Sequence, residues 1–360
     1  MYDILVTTQR GLEKIATEYI RDLAGDVEIK VKPYGFSGLI LLSGASDKYS
    51  LAKKIEENVP EVEKVFIVER AVKANIEDIV EAVKGVVKGK IGSDETFAVR
   101  TRRRGKHRFT SIDVNVRVGD VVREVTGADV DLDYPDKIVW VDIIQDVALI
   151  SITSGVVEHK KMRPGKPAIK SFLSKLSLVQ VPYLGPLDAV YRIGLRIGRA
   201  TQTFEIGELV VAPYQACTGE ELYHFLKGVF EGISSRYRIQ EKTYAYRPRR
   251  VKVLVQDLYQ LIRERRGEVI IATSTRGEVL YKALDSVIPA LKKAKRINIL
   301  VGAREGLPVG VFRFASIVVD LSPGVTISTD FAGVAAIVAL LTSLEERGFF
   351  PIFEGKKKSK

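Results

Sequence analysis

The stretch Val318–Leu341, VVDLSPGVTISTDFAGVAAIVALL, decides the fold class. A short apolar strand runs into a Ser-Pro-Gly turn, a hydroxyl-rich loop and then an alanine-rich helix. Similar apolar runs precede it at 176–181 (LSLVQV), 208–213 (ELVVAP), 268–273 (EVIIAT) and 297–302 (INILVG), alternating with helical patterns. Continuous apolar strands of this kind belong to a parallel sheet covered on both faces. Residues 177–350 therefore read as one α/β domain, with no repeat of about 20–50 residues.

The other half is organised differently. A chain of 360 residues predicts two or three domains. YDILVTT (2–8) reads as a strand and GLEKIATEYIRDLAG (11–25) as a helix with Leu12, Ile15, Ala16, Tyr19 and Leu23 on one face. Two β-rich runs, VEIKVKPY (27–34) and SGLILLSG (37–44), complete a small α+β unit over 1–50. Residues 51–157 then read as a second α/β module. It contains a helical run at 51–59, a strand at 64–72, a helix at 75–87, a strand at 97–104, a helix at 111–127 and two strands over 137–152 joined at Gln145-Asp146. The segment 158–176, rich in lysine, proline and glycine, reads as a linker, and 351–360 as a basic tail.

Composition sets bounds on function. No apolar run approaches the roughly 18 residues of a membrane span. The opening MYDILVTTQRGLEK has no basic n-region followed by an apolar h-region, so no signal peptide is expected. One cysteine, Cys217, fits a reducing compartment, and three histidines with one cysteine cannot build a closed zinc site. The expectation is a cytoplasmic, metal-free protein. Its net charge of +11 favours a polyanionic partner, although a basic surface kept for solubility has the same signature.

Position decides between these two. Arg100–Ser111, RTRRRGKHRFTS, contains no acid and ends on an aromatic and two hydroxyls. Arg100, Arg102, Arg103, Arg104 and Arg108 can present planar forks to phosphate, and Lys106 and His107 follow a glycine where backbone can approach closely. Thr110 and Ser111 can donate to phosphate or cap the next helix. The whole segment 97–152, with its VGD turn (118–120), its VDLDYPD loop (130–136) and its closing strand pair, resembles a THUMP domain. MYDILVTTQRGLEKIATEYI (1–20) resembles the ferredoxin-like domain that accompanies THUMP in tRNA-modifying enzymes. The resemblance implies an RNA-binding surface that captures the tRNA acceptor arm at its 3′ CCA end.

In the second half, VPYLGPLDAV (181–190) follows the first strand, and no G-x-G-x-x-G occurs, so the ordinary dinucleotide fingerprint is absent. Three stretches stand out instead: RATQTFEIGELVV (199–211), INILVGAREGLPVG (297–310) and the opening stretch. In order and spacing they resemble the three motifs of the SPOUT methyltransferases. That resemblance implies a parallel sheet with a C-terminal trefoil knot and loops that hold S-adenosylmethionine. Val301, Gly302, Gly306 and Leu307 fall on the second-motif loop, with Glu305 either orienting the ligand or capping a helix. Leu321, Ser322, Gly324, Ile327 and Ser328 fall on the third, and Thr273, Ser274 and Thr275 are additions from the preceding strand. The bland alternative for these glycines is ordinary turns and caps.

Arg199 falls on the arginine of the first motif in the 2′-O-ribose-methylating branch, although Ile193 and Ser328-Thr329-Asp330 depart from that branch's pattern. An arginine is normally a poor base, so it serves by positioning phosphate and stabilising developing oxyanion charge unless it is desolvated. The combination resembles the archaeal THUMP–SPOUT enzymes, which implies ribose 2′-O-methylation of an acceptor-stem nucleotide near position six. The alternatives are base N-methylation, with Asp330 as the base, and a non-catalytic tRNA-binding protein. The helices LDAVYRIGLRIGRATQTF (187–204) and DFAGVAAIVALLTSL (330–344) carry more apolar and small residues than one covered face requires, Ala332, Gly333, Ala335, Ala336 and Ala339 among them. With the SPOUT resemblance, this predicts a homodimer through those two helices.

Overall fold

The computed structural model describes residues 2–158, 160–244 and 246–355. The chain folds as two compact units, Met1–Arg163 and Pro164–Lys360.

The first unit contains two sheets. β1 (Tyr2–Thr8), α1 (Glu13–Ala24), β2 (Glu28–Val31), β3 (Leu39–Ser43), α2 (Lys48–Asn58) and β4 (Val62–Ile67) form an antiparallel sheet in the order β2-β3-β1-β4. The two-residue period of β1 sends Ile4 and Val6 under α1 and α2, and Leu5 to the opposite face with Phe66 and Trp140. Both faces are buried, so the strand shows no polar alternation. The expected helical stripe of α1 is rotated: Ala16 is buried but Ile15 and Tyr19 are exposed, and the buried set is Glu13, Ala16, Thr17 and Ile20. Glu13 turns the helix inward because its carboxylate accepts N–H bonds from Gly11 (3.1 Å) and Gly38 (2.5 Å).

The second sheet comprises β5 (Arg70–Lys73), β6 (Thr96–Arg104), β7 (Asp129–Val130), β8 (Lys137–Ile144) and β9 (Val147–Ser154), in the order β5-β9-β8-β6-β7. α3 (Ile76–Val87) and α4 (Ser111–Thr126) cover one face through Ile79, Val83, Val114, Val118 and Val122. The structure differs from the sequence reading in two places here. The run 64–72 is divided between the two sheets, so α2 and β4 complete the first sheet and a division at residue 50 cuts through it. The expected turn at Val118–Asp120 lies inside α4. A capping box between Thr110 and Asp113 and a left-handed Gly127 frame the helix, and its i, i+4 valine stripe faces the core.

The second unit is built on a six-stranded, wholly parallel sheet. After α5 (Lys170–Leu173) come β10 (Leu176–Gln180), α6 (Leu187–Phe204), β11 (Glu208–Val211), α7 (Gly219–Thr243), β12 (Lys252–Val255) and α8 (Leu258–Glu264). β13 (Val269–Val279), α9 (Leu280–Ala283), α10 (Ile288–Lys293), β14 (Ile297–Val301), β15 (Ile317–Asp320) and α11 (Thr329–Glu345) follow. The strand order is β12-β11-β10-β14-β13-β15. Leu178, Ile299, Phe225 and Ile337 build the core on one face; Val179, Leu300, Leu261 and Leu307 build it on the other. Both faces are covered, as the apolar runs predict.

α6 and α7 lie unusually close. A Cβ added to Gly194 would sit 2.4 Å from the Phe225 carbonyl oxygen, one on Gly198 2.1 Å from that of Val229, and one on Gly232 2.1 Å from that of Leu195. The small residues of α6 that predicted association between copies are thus used within the chain. Glycine at these positions is required because backbone meets backbone.

The expected linker and tail also carry structure. The Gly165 N–H donates to the Phe353 carbonyl (3.0 Å), Phe353 N–H to Lys166 (2.8 Å) and Ala168 N–H to Pro351 (2.8 Å). Phe172 packs edge-on against Phe349 and Phe350. Residues 356–360 of the expected tail lie outside the described residues. No helix is long and apolar enough to cross a membrane among those described.

Candidate functional site

The middle of β13 and the loops that leave the C-terminal ends of the neighbouring strands β14 and β15 line a cavity of about 400 Å³. Thr273, Ser274 and Thr275 line it from β13; Val301, Gly302, Glu305, Gly306 and Leu307 from the loop after β14; Leu321, Ser322 and Ile327 from the loop after β15. The sequence-predicted residues therefore converge, with two exceptions: Gly324 and Ser328 do not line it. Gly324, at φ +80°, instead lets the Ser322–Val325 turn close, where Val325 N–H donates to the Ser322 carbonyl (3.0 Å). Ser328 donates its hydroxyl to Asp330 Oδ1 (2.8 Å).

The loop after β14 depends on its glycines. Gly306, at φ +82°, donates to the Ala303 carbonyl (2.8 Å), and a Cβ on Gly302 would sit 2.4 Å from the Gly306 carbonyl carbon. Beneath the loop, buried Gln180 donates Nε2–H to the Val181 carbonyl (2.9 Å) and the Gly302 carbonyl (3.4 Å). Opposite, Thr273 donates its hydroxyl to the Leu300 carbonyl (3.0 Å). Apolar Val301, Leu307, Phe312, Leu321 and Ile327 share the wall with these hydroxyls and with the carboxyls of Glu305 and Asp320. A wall that mixes apolar side chains with hydroxyls, carboxyls and the guanidinium groups of Arg276 and Arg304 suits a nucleoside-sized ligand that carries charge. Sequence reasoning missed Phe312 and Asp320, which carry no motif signal of their own.

Arg199 does not line this cavity. It is exposed on α6, and its Nη1 donates to Ser235 Oγ of α7 (3.0 Å). One turn earlier, Arg196 Nη1 reaches Asp330 Oδ2 at 2.9 Å. Burial alone would raise the Asp330 carboxyl. The Arg196 bond and the Ser328 hydroxyl outweigh it and hold the group below the usual carboxylate range. Asp330 is flanked by Thr329 and Ala332, both on the cavity wall.

In the first unit, the basic run divides by strand alternation. Arg102 makes a bidentate pair with Asp142 of β8 (Nε–Oδ1 2.6 Å, Nη2–Oδ2 2.5 Å) and lies over the Phe66 and Trp140 rings. Arg100 forms a similar pair with Glu158 (3.0 and 2.9 Å). Arg104 also leans on Asp142 (3.6 Å); burial lowers its pKa despite that partner, and its Nη1 has no hydrogen bond among the described residues. The acids missing from the run itself are supplied by other segments, which local sequence cannot show. Arg103 faces the other way, with Nη1 donating to His107 Nδ1 (3.5 Å), while His107 Nε2–H donates to the Gln145 carbonyl (2.5 Å). Lys106 and Arg108 are exposed, Thr110 caps α4, and Ser111 is its first residue.

The family described as AF2226-like SPOUT RNA Methylase fused to THUMP matches residues 170–360, and the THUMP domain family matches residues 73–153. An uncharacterized protein of Methanocaldococcus jannaschii is 38% identical over 338 residues, spanning 93% of this chain and 92% of its own. From the same organism, a probable tRNA sulfurtransferase is 31% identical over 39% of this chain and 37% of its own length. A tRNA (guanine(6)-N2)-methyltransferase, also from that organism, is 32% identical over 44% of this chain and 43% of its own length. The chain belongs to the AF2226-like family of SPOUT RNA methylases fused to a THUMP domain.

Proposed function

We propose that the protein is an S-adenosylmethionine-dependent tRNA methyltransferase, cytoplasmic and metal-free, that modifies the ribose 2′-hydroxyl of an acceptor-stem nucleotide near position six. The observation that carries this reading is the cavity formed by the middle of β13 and the loops after the adjacent parallel strands β14 and β15. Its size and its mixed wall of apolar side chains, hydroxyls and charged groups fit the adenosyl cofactor, which supplies the methyl group when bound. Val301, Leu307, Leu321 and Ile327 would hold the adenine, the backbone of the Gly302 and Gly306 turn would approach the nucleoside closely, and Thr273, Ser274, Thr275, Glu305 and Ser322 would offer polar partners. Gly324 and Ser328 would shape the third loop from outside. The second unit would carry the C-terminal trefoil knot that the SPOUT resemblance implies.

The RNA-binding assignment rests on the THUMP match, on exposed Lys106 and Arg108, and on Arg103, Arg104 and His107 around them. Two tRNA-modifying relatives support tRNA as the substrate class, and the name of one contains position six. Gripping the 3′ CCA end with the first unit would present the acceptor stem to the second. Arg100, Arg102, Thr110 and Ser111 would shape that surface rather than carry its charge. The proposed domains are a ferredoxin-like domain extended beyond residue 50 to include β4, a THUMP domain to 157, and a SPOUT domain from the linker onward.

Arg199 would position a substrate phosphate and stabilise charge at the attacked hydroxyl. It does not line the cavity of its own chain, so the arrangement fits a homodimer in which each Arg199 serves the partner's cavity. The exposed Phe331 and Val338 of α11 are the apolar residues available for that contact.

The second reading is base N-methylation, favoured by the guanine-methylating relative. Against it stands Asp330, whose lowered pKa and two hydrogen bonds make it a weak base. The deciding experiment incubates the protein with labelled S-adenosylmethionine and unmodified tRNA and maps the product by nuclease digestion and mass spectrometry. An alkali-resistant dinucleotide marks ribose methylation; a methylated base in an alkali-labile position marks the second reading; no transfer to any tRNA rejects both.

A further inference from the structure

Residues 236–252, RYRIQEKTYAYRPRRVK, hold seven basic residues and one acid. They close α7 and lead to β12, outside both the cavity and the Arg100–Arg108 run. In the fold, two of their arginines, Arg238 and Arg250, meet at Ser234 of α7. Arg250 Nη2 donates to Ser234 Oγ (2.8 Å), and Arg238 Nε donates to the Ser234 carbonyl (3.3 Å). From the neighbouring helix, Arg199 Nη1 donates to Ser235 Oγ (3.0 Å). Arg236 follows directly in sequence, its Nε shielded from solvent and without a hydrogen-bond partner among the described residues.

The partners of these guanidinium groups are the informative feature. Arg100, Arg102, Arg196, Arg265, Arg296 and Arg347 each hold a carboxylate. Among the described residues, none of Arg199, Arg236, Arg238 and Arg250 does; their partners are hydroxyls and a carbonyl. Grouping like charges against neutral partners is unfavourable unless an anion joins them. Arg250 also lies 5.8 Å from the centre of the Tyr237 ring, which orients its plane. Exposed Lys242, Arg247 and Arg249 extend the positive charge along the same segment. The cluster adjoins the cavity wall through α6: Arg196, one turn before Arg199, bonds Asp330 between the wall residues Thr329 and Ala332.

We infer that Arg199, Arg236, Arg238 and Arg250 form a phosphodiester-binding surface on the second unit, which takes the RNA backbone beside the nucleotide offered to the cavity. Planar guanidinium forks suit phosphate oxygens, and a sequence-independent grip beside the site would fix the register of the strand. The inference rests on the RNA-methyltransferase reading for its substrate, but its test separates the two.

The test compares the full-length protein with the double variant Arg238→Gln/Arg250→Gln, binding an unmodified tRNA transcript between about 50 and 200 mM salt. Each lost phosphate contact is expected to lower the slope of log affinity against log salt by about one unit. Affinity at the upper salt is expected to fall about tenfold, with calorimetric affinity for S-adenosylmethionine unchanged. The Arg238→Lys/Arg250→Lys variant should regain most of the slope. Parental slope and affinity in the Gln variant would overturn the inference, as would lost affinity at unchanged slope. If the parent transfers no methyl group to tRNA yet the slope falls, the surface stands and the catalytic reading fails. If the parent methylates tRNA and the slope does not move, only the surface fails.

Discussion

Gly198 of α6 faces the carbonyl oxygen of Val229 in α7 so closely that a Cβ on the glycine would sit 2.1 Å from it. A methyl group there would force two helices in backbone contact apart. Gly198→Ala is expected to destabilise the protein by about 2–3 kcal/mol, the upper part of the range for overpacking, read as a lowered midpoint in denaturant. Gly85, on an exposed turn of α3 with no atom within 4 Å of its would-be Cβ, provides the control. Gly85→Ala should be neutral or slightly stabilising. Equal effects at both positions would show that the close approach of α6 and α7 does not exist in solution.

Gly302 makes the corresponding test for the cavity. Its added Cβ would meet the backbone of Gly306, so Gly302→Ala must open the loop that lines one wall. The expected outcome in calorimetry is a loss of S-adenosylmethionine affinity of about ten- to a hundredfold, the equivalent of roughly 1–3 kcal/mol of strain. Far-ultraviolet dichroism should be unchanged. Normal affinity in this variant would remove the loop from the cofactor site.

The basic run should divide into two classes. Arg102→Ala leaves the Asp142 side chain, 2% exposed, with only the longer Arg104 contact. That is expected to destabilise the first unit by about 3 kcal/mol. Replacing exposed Lys106 and Arg108 by Ala should leave the melting temperature in place and flatten the salt dependence of tRNA binding by about one unit each. The opposite pattern, with stability lost at Lys106 and Arg108 and salt dependence lost at Arg102, would contradict the division.

Glu13 gives a pH dependence with a defined sign. Burial works to raise its carboxyl, but N–H bonds from Gly38 and Gly11 and the nearby Lys32 bring it down from 4.5 to about 2. A depressed folded-state pKa gives stability that is complete above the unfolded value and is lost as pH falls through the folded one. The stability gap between the parent and Glu13→Gln should therefore be constant near neutral pH. It should narrow between about 4.5 and 2. Urea titrations at several pH values measure it, and a gap that widens on acidification would reverse the assignment.

The parallel sheet was legible because its strands are continuous apolar runs, and the cavity because its loops follow those strands. What sequence reading missed lies in contacts between distant segments. Asp142 and Glu158 neutralise Arg102 and Arg100 from 40 and 58 residues away, so an acid-free run became a partly paired one. The glycines of α6 read as material for a contact between copies, but Phe225 and Val229 of α7, each 31 residues further on, occupy them. The stripe on α1 was misjudged because a carboxylate, ordinarily a mark of the solvent face, is here the buried cap for two backbone amides. The partner of Arg199, Ser235 of α7, stands 36 residues away, beyond the reach of any local pattern.

The three backbone hydrogen bonds between residues 165–168 and 351–353 bring the start and the finish of the second unit side by side. Mechanically, this makes the unit a cassette on a two-stranded stem. A pull that separates the chain before Gly165 from the chain beyond Phe353 would peel these bonds one after another, starting at Gly165 and Phe353, before any strand of the sheet felt the load. For the same reason the unit could be spliced into a host loop, because its two ends already span the short gap that such a loop provides.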